Sequence, residues 1–112
     1  MDSMTKRTSS CFKHLDLAIL RSFVLIADGK SFGETAVLMD RSPSAITLQI
    51  QKLEDFFGAK LLNRSGRTIT LTAVGELLLA DARKILSEND EVIMDLSLSI
   101  QKHTQKEVVV TL

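Results

Sequence analysis

Apolar residues recur along this chain first at helical spacing, then in alternation, then as a long heptad stripe, and the changes of period divide it into elements. Leu17, Leu20, Phe23, Val24 and Ala27 repeat at helical spacing behind Asp16, a good capping residue, and Gly29 stops the run. A first helix is therefore expected from about Leu15. Ser31-Phe32-Gly33-Glu34 is a capping box, in which serine and glutamate each satisfy the other's backbone amide, and it opens a short second helix reaching about Met39. Phe32, Thr35, Ala36 and Met39 turn inward on it, and the small Thr35 and Ala36 permit a close helix crossing. Asp40 and Arg41 alone connect it to Ser42. There Ser42 caps, Pro43 fits the first helical position and Gly58 can adopt the left-handed conformation that ends a helix, so residues 42–58 hold a third helix of about four turns. Ala45, Ile46, Ile50, Leu53 and Phe57 would face a core, and Ser44, Thr47, Leu48, Gln51 and Lys52 solvent or a ligand.

Beyond Gly58 the period shortens. Leu61 and Leu62 precede Asn63-Arg64-Ser65-Gly66-Arg67, and Thr68-Ile69-Thr70-Leu71 follows, which reads as a short hairpin with Arg64 and Arg67 at its tip. Thr72 then caps a long fourth helix over residues 73–103. Its stripe of Leu79, Ala82, Leu86, Asn89, Ile93, Leu96, Ile100 and His103 steps alternately by three and four, a heptad seam. Such a helix spans about 45 Å, more than a domain of this size can cover, so its far half calls for a partner. A second copy of the chain is the expected one, with Asn89 able to fix the register. Residues 106–112 contain β-branched residues in succession and read as a strand just begun. A lone strand is not stable, so the natural chain is expected to continue, with residues 104–112 as a hinge.

The fold class expected is therefore mainly α: a winged helix-turn-helix over residues 15–72, made of three helices and a two-stranded wing, followed by a long dimerisation helix. Residues 1–14, rich in Ser, Thr, Lys and Arg, carry no pattern and are expected to form a mobile leader.

Composition narrows the function. The 112 residues suffice for one domain with a modest core plus an extension. No run of about 18 apolar residues occurs and the N-terminus lacks the apolar block of a signal peptide, so a membrane partner is not expected and a cytoplasmic location is. Cys11 is the single cysteine, which rules out an intrachain disulfide, and His14 and His103 are far apart, without metal-ligand spacing. Net charge is +0, yet unevenly spread. Residues 41–72 carry five cations against two carboxylates, a net +3, and residues 73–101 two against six, a net −4. Phosphate attraction can thus be local to one face. The outer face of the third helix supplies what such a face needs, because short Ser, Thr and Gln side chains can enter a DNA major groove and read base edges. No nucleophile and base pair, Gly-rich phosphate loop or acidic cluster suggests an enzyme, and no cofactor is called for.

In combination these elements resemble the DNA-binding part of LysR-type transcriptional regulators over most of the chain. The resemblance rests on Leu17-x-x-Leu20-Arg21-x-Phe23, Ser31-Phe32, Ser44-Ala45-Ile46-Thr47-x-Gln49-Ile50-x-Lys52-Leu53-Glu54, Gly58-x-x-Leu61-Leu62-x-Arg64 and Leu71-Thr72-x-x-Gly75. It implies that the third helix reads the major groove, that the wing arginines reach the backbone or minor groove, and that the long helix dimerises. By position it assigns base edges to Pro43, Ser44, Thr47 and Leu48, phosphates at helix N-termini to Ser31, Phe32 and Thr72, and the wing to Arg64 and Arg67. Ser42, Gln51 and Lys52 complete the expected DNA-binding set. An effector-binding domain normally follows in that family, so a small-molecule effector would bind outside this chain. Leu48 stands where many relatives have arginine, Pro43 where glutamine is frequent, and Gly33, Thr35 and Val37 depart in the second helix. A thymine methyl suits Leu48, and specificity then leans on Thr47, Gln51 and DNA shape.

The function expected is sequence-specific binding of duplex DNA by a homodimer or higher homo-oligomer, regulating transcription at a dyad-symmetric site. The competing expectation is a protein-interaction module, with the winged helix as scaffold and the acidic long helix as partner surface.

Overall fold

Each of the first three helices starts where a short side chain accepts amide hydrogens that the first turn leaves unpaired. In the computed structural model, which describes residues 13–105, Asp16 caps α1 (Leu17–Ala27), Ser31 caps α2 (Phe32–Met39) and Ser42 caps α3 (Pro43–Phe57). Strands β1 (Leu62–Ser65) and β2 (Thr68–Leu71) form the wing, and α4 (Ala73–Gln105) completes the order. The capping box of α2 is formed as its sequence requires, with Glu34 N donating to Ser31 Oγ at 3.0 Å and Ser31 N to the Glu34 carboxylate at 2.9 Å. Three residues join α2 to α3. Asp40 takes a left-handed conformation, φ 57°, and the Arg41 amide returns to the Ala36 carbonyl at 2.8 Å, closing the helix.

The core lies where α1 packs on α2, α3 and α4. Leu20, Phe23, Ile46, Ile50 and Leu61 are fully buried there, each contributing about 1.5–3 kcal/mol of apolar burial. On α1 the buried face is Ile19, Leu20, Ser22, Phe23 and Ile26, so of the residues read as periodic Leu17 is exposed and Val24 and Ala27 are half-buried. On α2 the expected face is the observed one. On α3 Ala45 and Phe56 are half-buried and Phe57 exposed, the Phe56 ring edge-on to that of Phe57 at 5.0 Å and covered by Lys13 Nζ at 5.2 Å. Residues 56 and 57 both follow Leu53 at helical steps, so spacing alone could not choose between them.

The sheet pairs Leu62 with Leu71, Asn63 with Thr70, Arg64 with Ile69 and Ser65 with Thr68. A two-residue turn remains. Gly66, φ 64°, holds its first central position, which a type II′ hairpin reserves for glycine, and Arg67 the second. Arg67 is therefore at the tip as expected, whereas Arg64 lies back on β1.

The heptad reading of α4 needs a larger correction. The helix has 33 residues, about 50 Å, and its first half packs on α1. Ala82 and Leu86 are buried in the chain's own core, and Leu79 packs against it, so these three are already used within one chain. The remainder of the stripe is different: Ile93, Leu96 and Ile100 are 58%, 57% and 56% exposed, with Val92, Met94 and Leu98 beside them. Asn89, half-buried, donates its side-chain amide to Asp90 at 3.1 Å. The expected leader up to Phe12, with Cys11, and the strand-like residues 106–112 lie outside the described residues.

Candidate nucleic-acid interface

The third helix presents its polar face because its apolar residues are spent on the core. Pro43, Ser44, Leu48, Gln51 and Lys52 are exposed and Thr47 is half-exposed, as the sequence predicts. Several of their hydrogens are already committed. Ser42 Oγ accepts from Ala45 N at 3.1 Å and lies 3.2 Å from Ser44 Oγ, and Thr47 Oγ1 donates to the Pro43 carbonyl at 3.2 Å.

Beyond the second turn this face runs into a groove lined by Gln51, Glu54, Lys60, Leu62, Asn63 and Arg64, which joins α3 to the wing. Glu54 builds the junction. Its carboxylate accepts from Leu61 N at 2.9 Å and Leu62 N at 3.4 Å, fixing the start of β1, and lies 3.6 Å from Lys60 Nζ. From β1 the Arg64 guanidinium reaches the Phe32 ring at 4.6 Å, a cation–π contact. Phe32 is the first residue of α2, so this stacking holds a wing cation beside the helix N-terminus capped by Ser31. The reciprocal cap also keeps the Glu34 carboxylate there, which opposes any second anion.

Ser31, Phe32, Arg64, Gln51, Lys52 and the first turn of α3 thus belong to connected surfaces. Thr72 also ties the fold together. Its hydroxyl accepts from Gly75 N at 3.0 Å and donates to the Lys60 carbonyl at 2.7 Å. Arg67 stands apart at the wing tip.

The residues that sequence reasoning passed over act from behind. Ser22, fully buried, donates to Gln49 Oε1 at 2.6 Å and pins α3 to α1. Paired Arg21–Asp90, at 2.8 and 3.2 Å, and Arg83–Asp28, at 2.6 and 3.4 Å, clamp α4 to α1. The Arg21 hydrogen bonds, helped by the Asn89 amide, hold the Asp90 carboxyl below the usual carboxylate range, and the same contact raises Arg21. Of the acidic half, Asp90 is thereby paired with Arg21, whereas Arg83 of the same half is spent on Asp28 at the end of α1. Both pairs join opposite charges 69 and 55 positions apart, so no local spacing signals either.

No helix among the described residues is long and apolar enough to cross a membrane, and no group of three or more potential metal ligands occurs among them.

Comparison with known proteins gives a coherent result. Residues 17–76 match the family described as bacterial regulatory helix-turn-helix protein, lysR family. The chain is 44% identical over 92 residues to the HTH-type transcriptional regulator PecT of Dickeya dadantii (strain 3937), covering 82% of this chain and 29% of that protein. It is 37% identical over 91 residues to the HTH-type transcriptional regulator DgdR of Burkholderia cepacia, covering 81% and 31%. The chain therefore spans about three-tenths of the length of these relatives. Among solved structures, the CbnR_DBD–DNA complex superposes with a TM-score of 0.68 at 32% identity, covering 77% of this chain and 99% of that one. The winged helix-turn-helix followed by a long helix is the shared architecture.

Proposed function

Since the chain belongs to the lysR family of bacterial regulatory helix-turn-helix proteins, we propose that it binds duplex DNA as a homodimer, sequence-specifically, and so regulates transcription. The observation that carries this reading is the exposed Ser44, Thr47, Leu48, Gln51 face of α3, continuous through one groove with the wing residues Asn63 and Arg64. A helix in the major groove and a cation on the flanking backbone are the two contacts such a surface can make together. Lys52, Lys60, Arg64 and Arg67 supply the phosphate attraction. Relatives named as transcriptional regulators and a structural neighbour solved with DNA support it.

Dimerisation falls to the outer half of α4. Val92, Ile93, Met94, Leu96, Leu98 and Ile100 are more than half exposed over nine residues, and covering such a strip with its own copy removes apolar surface from water on both chains. Leu79, Ala82 and Leu86 support this interface only by fixing α4 on its own domain. The protein works in the cytoplasm without a cofactor in this part, and any small-molecule effector binds elsewhere in the full protein.

Anisotropy titration against random duplexes at several salt concentrations, with the bound fraction sequenced, tests the reading. With about six phosphates neutralised per dimer, log K falls with log salt at a slope near about −5, and a dyad motif is enriched. Salt-sensitive binding without enrichment removes the specificity, and no binding at low salt turns the reading to a protein-interaction module built on the exposed apolar strip of α4.

A further inference from the structure

The hydrogen bonds at the leading end of α3 limit which base that helix can read, given the DNA-binding reading above. Reading guanine in the major groove takes donors aimed at its O6 and N7. This end of the helix is poor in them. Pro43 has no amide hydrogen, the Thr47 hydroxyl hydrogen goes to the Pro43 carbonyl, and of the two hydrogens on the Ser42 and Ser44 hydroxyls one is spent between them. Leu48, 57% exposed, is the one large apolar side chain turned outward on α3 ahead of Phe57. Lys52, the first cation on this face, sits a full turn further along.

What remains is an apolar surface at Leu48 and, on the adjacent residue, hydroxyl lone pairs without a free hydrogen at Thr47. Their complement is a methyl group beside an amino group. A thymine–adenine pair presents both on its major-groove edge, the C5 methyl of thymine and the N6 amino group of adenine. We infer that Leu48 and Thr47 together read one thymine–adenine pair in each half-site, Leu48 covering the thymine methyl and Thr47 accepting from adenine N6.

The test uses the duplex enriched from the random pool, with each thymine replaced in turn by uracil, which lacks only the C5 methyl. At one thymine per half-site, uracil weakens binding by about fourfold, the value of one buried methyl group. Leu48→Ala binds the thymine and uracil duplexes alike. Replacing the paired adenine by purine, which lacks the N6 amino group, weakens the wild type but not Thr47→Val. Leu48→Arg, which restores two donors, shifts the preferred base at that position to guanine. The exposure of Leu48 keeps these changes away from the core. Indifference of the wild type to every uracil, or a Leu48→Ala variant that still tells thymine from uracil, overturns the assignment while DNA binding stands. A chain that retains no duplex at low salt overturns the DNA-binding reading itself, and this assignment with it.

Discussion

Replacing Gly75 by alanine sets helix propensity against packing, and the distances decide which wins. Gly75 lies in the first turn of α4, where alanine is favoured over glycine by about 1 kcal/mol. A Cβ at this position would stand 2.2 Å from the Leu61 carbonyl oxygen and 3.1 Å from its carbon, with Leu71 Cδ2 at 3.3 Å. Real Cβ atoms keep about 3.0 Å or more, so the backbone at Leu61 must retreat by at least 0.8 Å, the difference between 3.0 and 2.2 Å. It has little freedom to do so. The same carbonyl accepts from Thr72 N at 3.0 Å, the Leu61 amide donates to Glu54 at 2.9 Å, and the Leu61 side chain is fully buried. Overpacking costs about 1–3 kcal/mol and a disturbed buried hydrogen bond about 1–3 more, so after the propensity gain Gly75→Ala should destabilise by about 1–5 kcal/mol, with a midpoint of about 3. At about 4–8 °C per kcal/mol for a domain of this size, that midpoint lowers Tm by roughly 12–24 °C. Urea and thermal unfolding followed by circular dichroism at one fixed protein concentration would measure it, since a dimer's apparent stability depends on concentration. Gly33→Ala in α2 is the control. Its Cβ would meet only Ser31 Oγ at 3.8 Å, ordinary contact, so the same substitution should stabilise by about 0.4–1 kcal/mol. A Gly75→Ala variant as stable as the wild type would refute the close approach of α4 to Leu61.

Four further outcomes are expected. Thr35 Oγ1 is buried without a hydrogen-bond partner among the described residues, so Thr35→Val, nearly the same in volume, should raise stability by about 1 kcal/mol in urea unfolding; a loss would mean the hydroxyl is satisfied. Glu54→Ala leaves the Leu61 amide unpaired and should cost about 2–3 kcal/mol, with amide exchange quickening in β1; an intact wing would refute this. Asp90 titrates lower in the folded chain than in the unfolded one. Its pairing with Arg21 therefore stabilises fully above the ordinary carboxylate range and is lost as pH falls through that range, so wild type and Asp90→Asn should differ at pH 6 and converge by about pH 2. Phe32→Leu removes the ring beneath Arg64 and should weaken DNA binding about two- to fivefold for all sequences alike, and an unchanged affinity would make the stacking irrelevant to binding.

What the sequence determined by itself is what closes within a few residues. The cap of Asp16, the Ser31–Glu34 box, Ser42 before Pro43 and the glycine turn of the wing each depend on hydrogen bonds spanning two or three residues, or on a backbone angle few residues tolerate. The outward set on α3 was legible for a related reason, since a helix fixes which residues share a face. Only the tertiary structure could decide where the helices cross. It assigned Ala82 and Leu86 to the core of their own chain and left Ile93, Leu96 and Ile100 outside, although all five fit one heptad seam. It left Phe57 outside the core, set Arg64 on Phe32 and brought Gly75 against Leu61. The clamps Arg21–Asp90 and Arg83–Asp28 join residues 69 and 55 positions apart. A periodic stripe states that a face is apolar; which surface covers it depends on the separation and angle of two helix axes, and no spacing along one helix contains either.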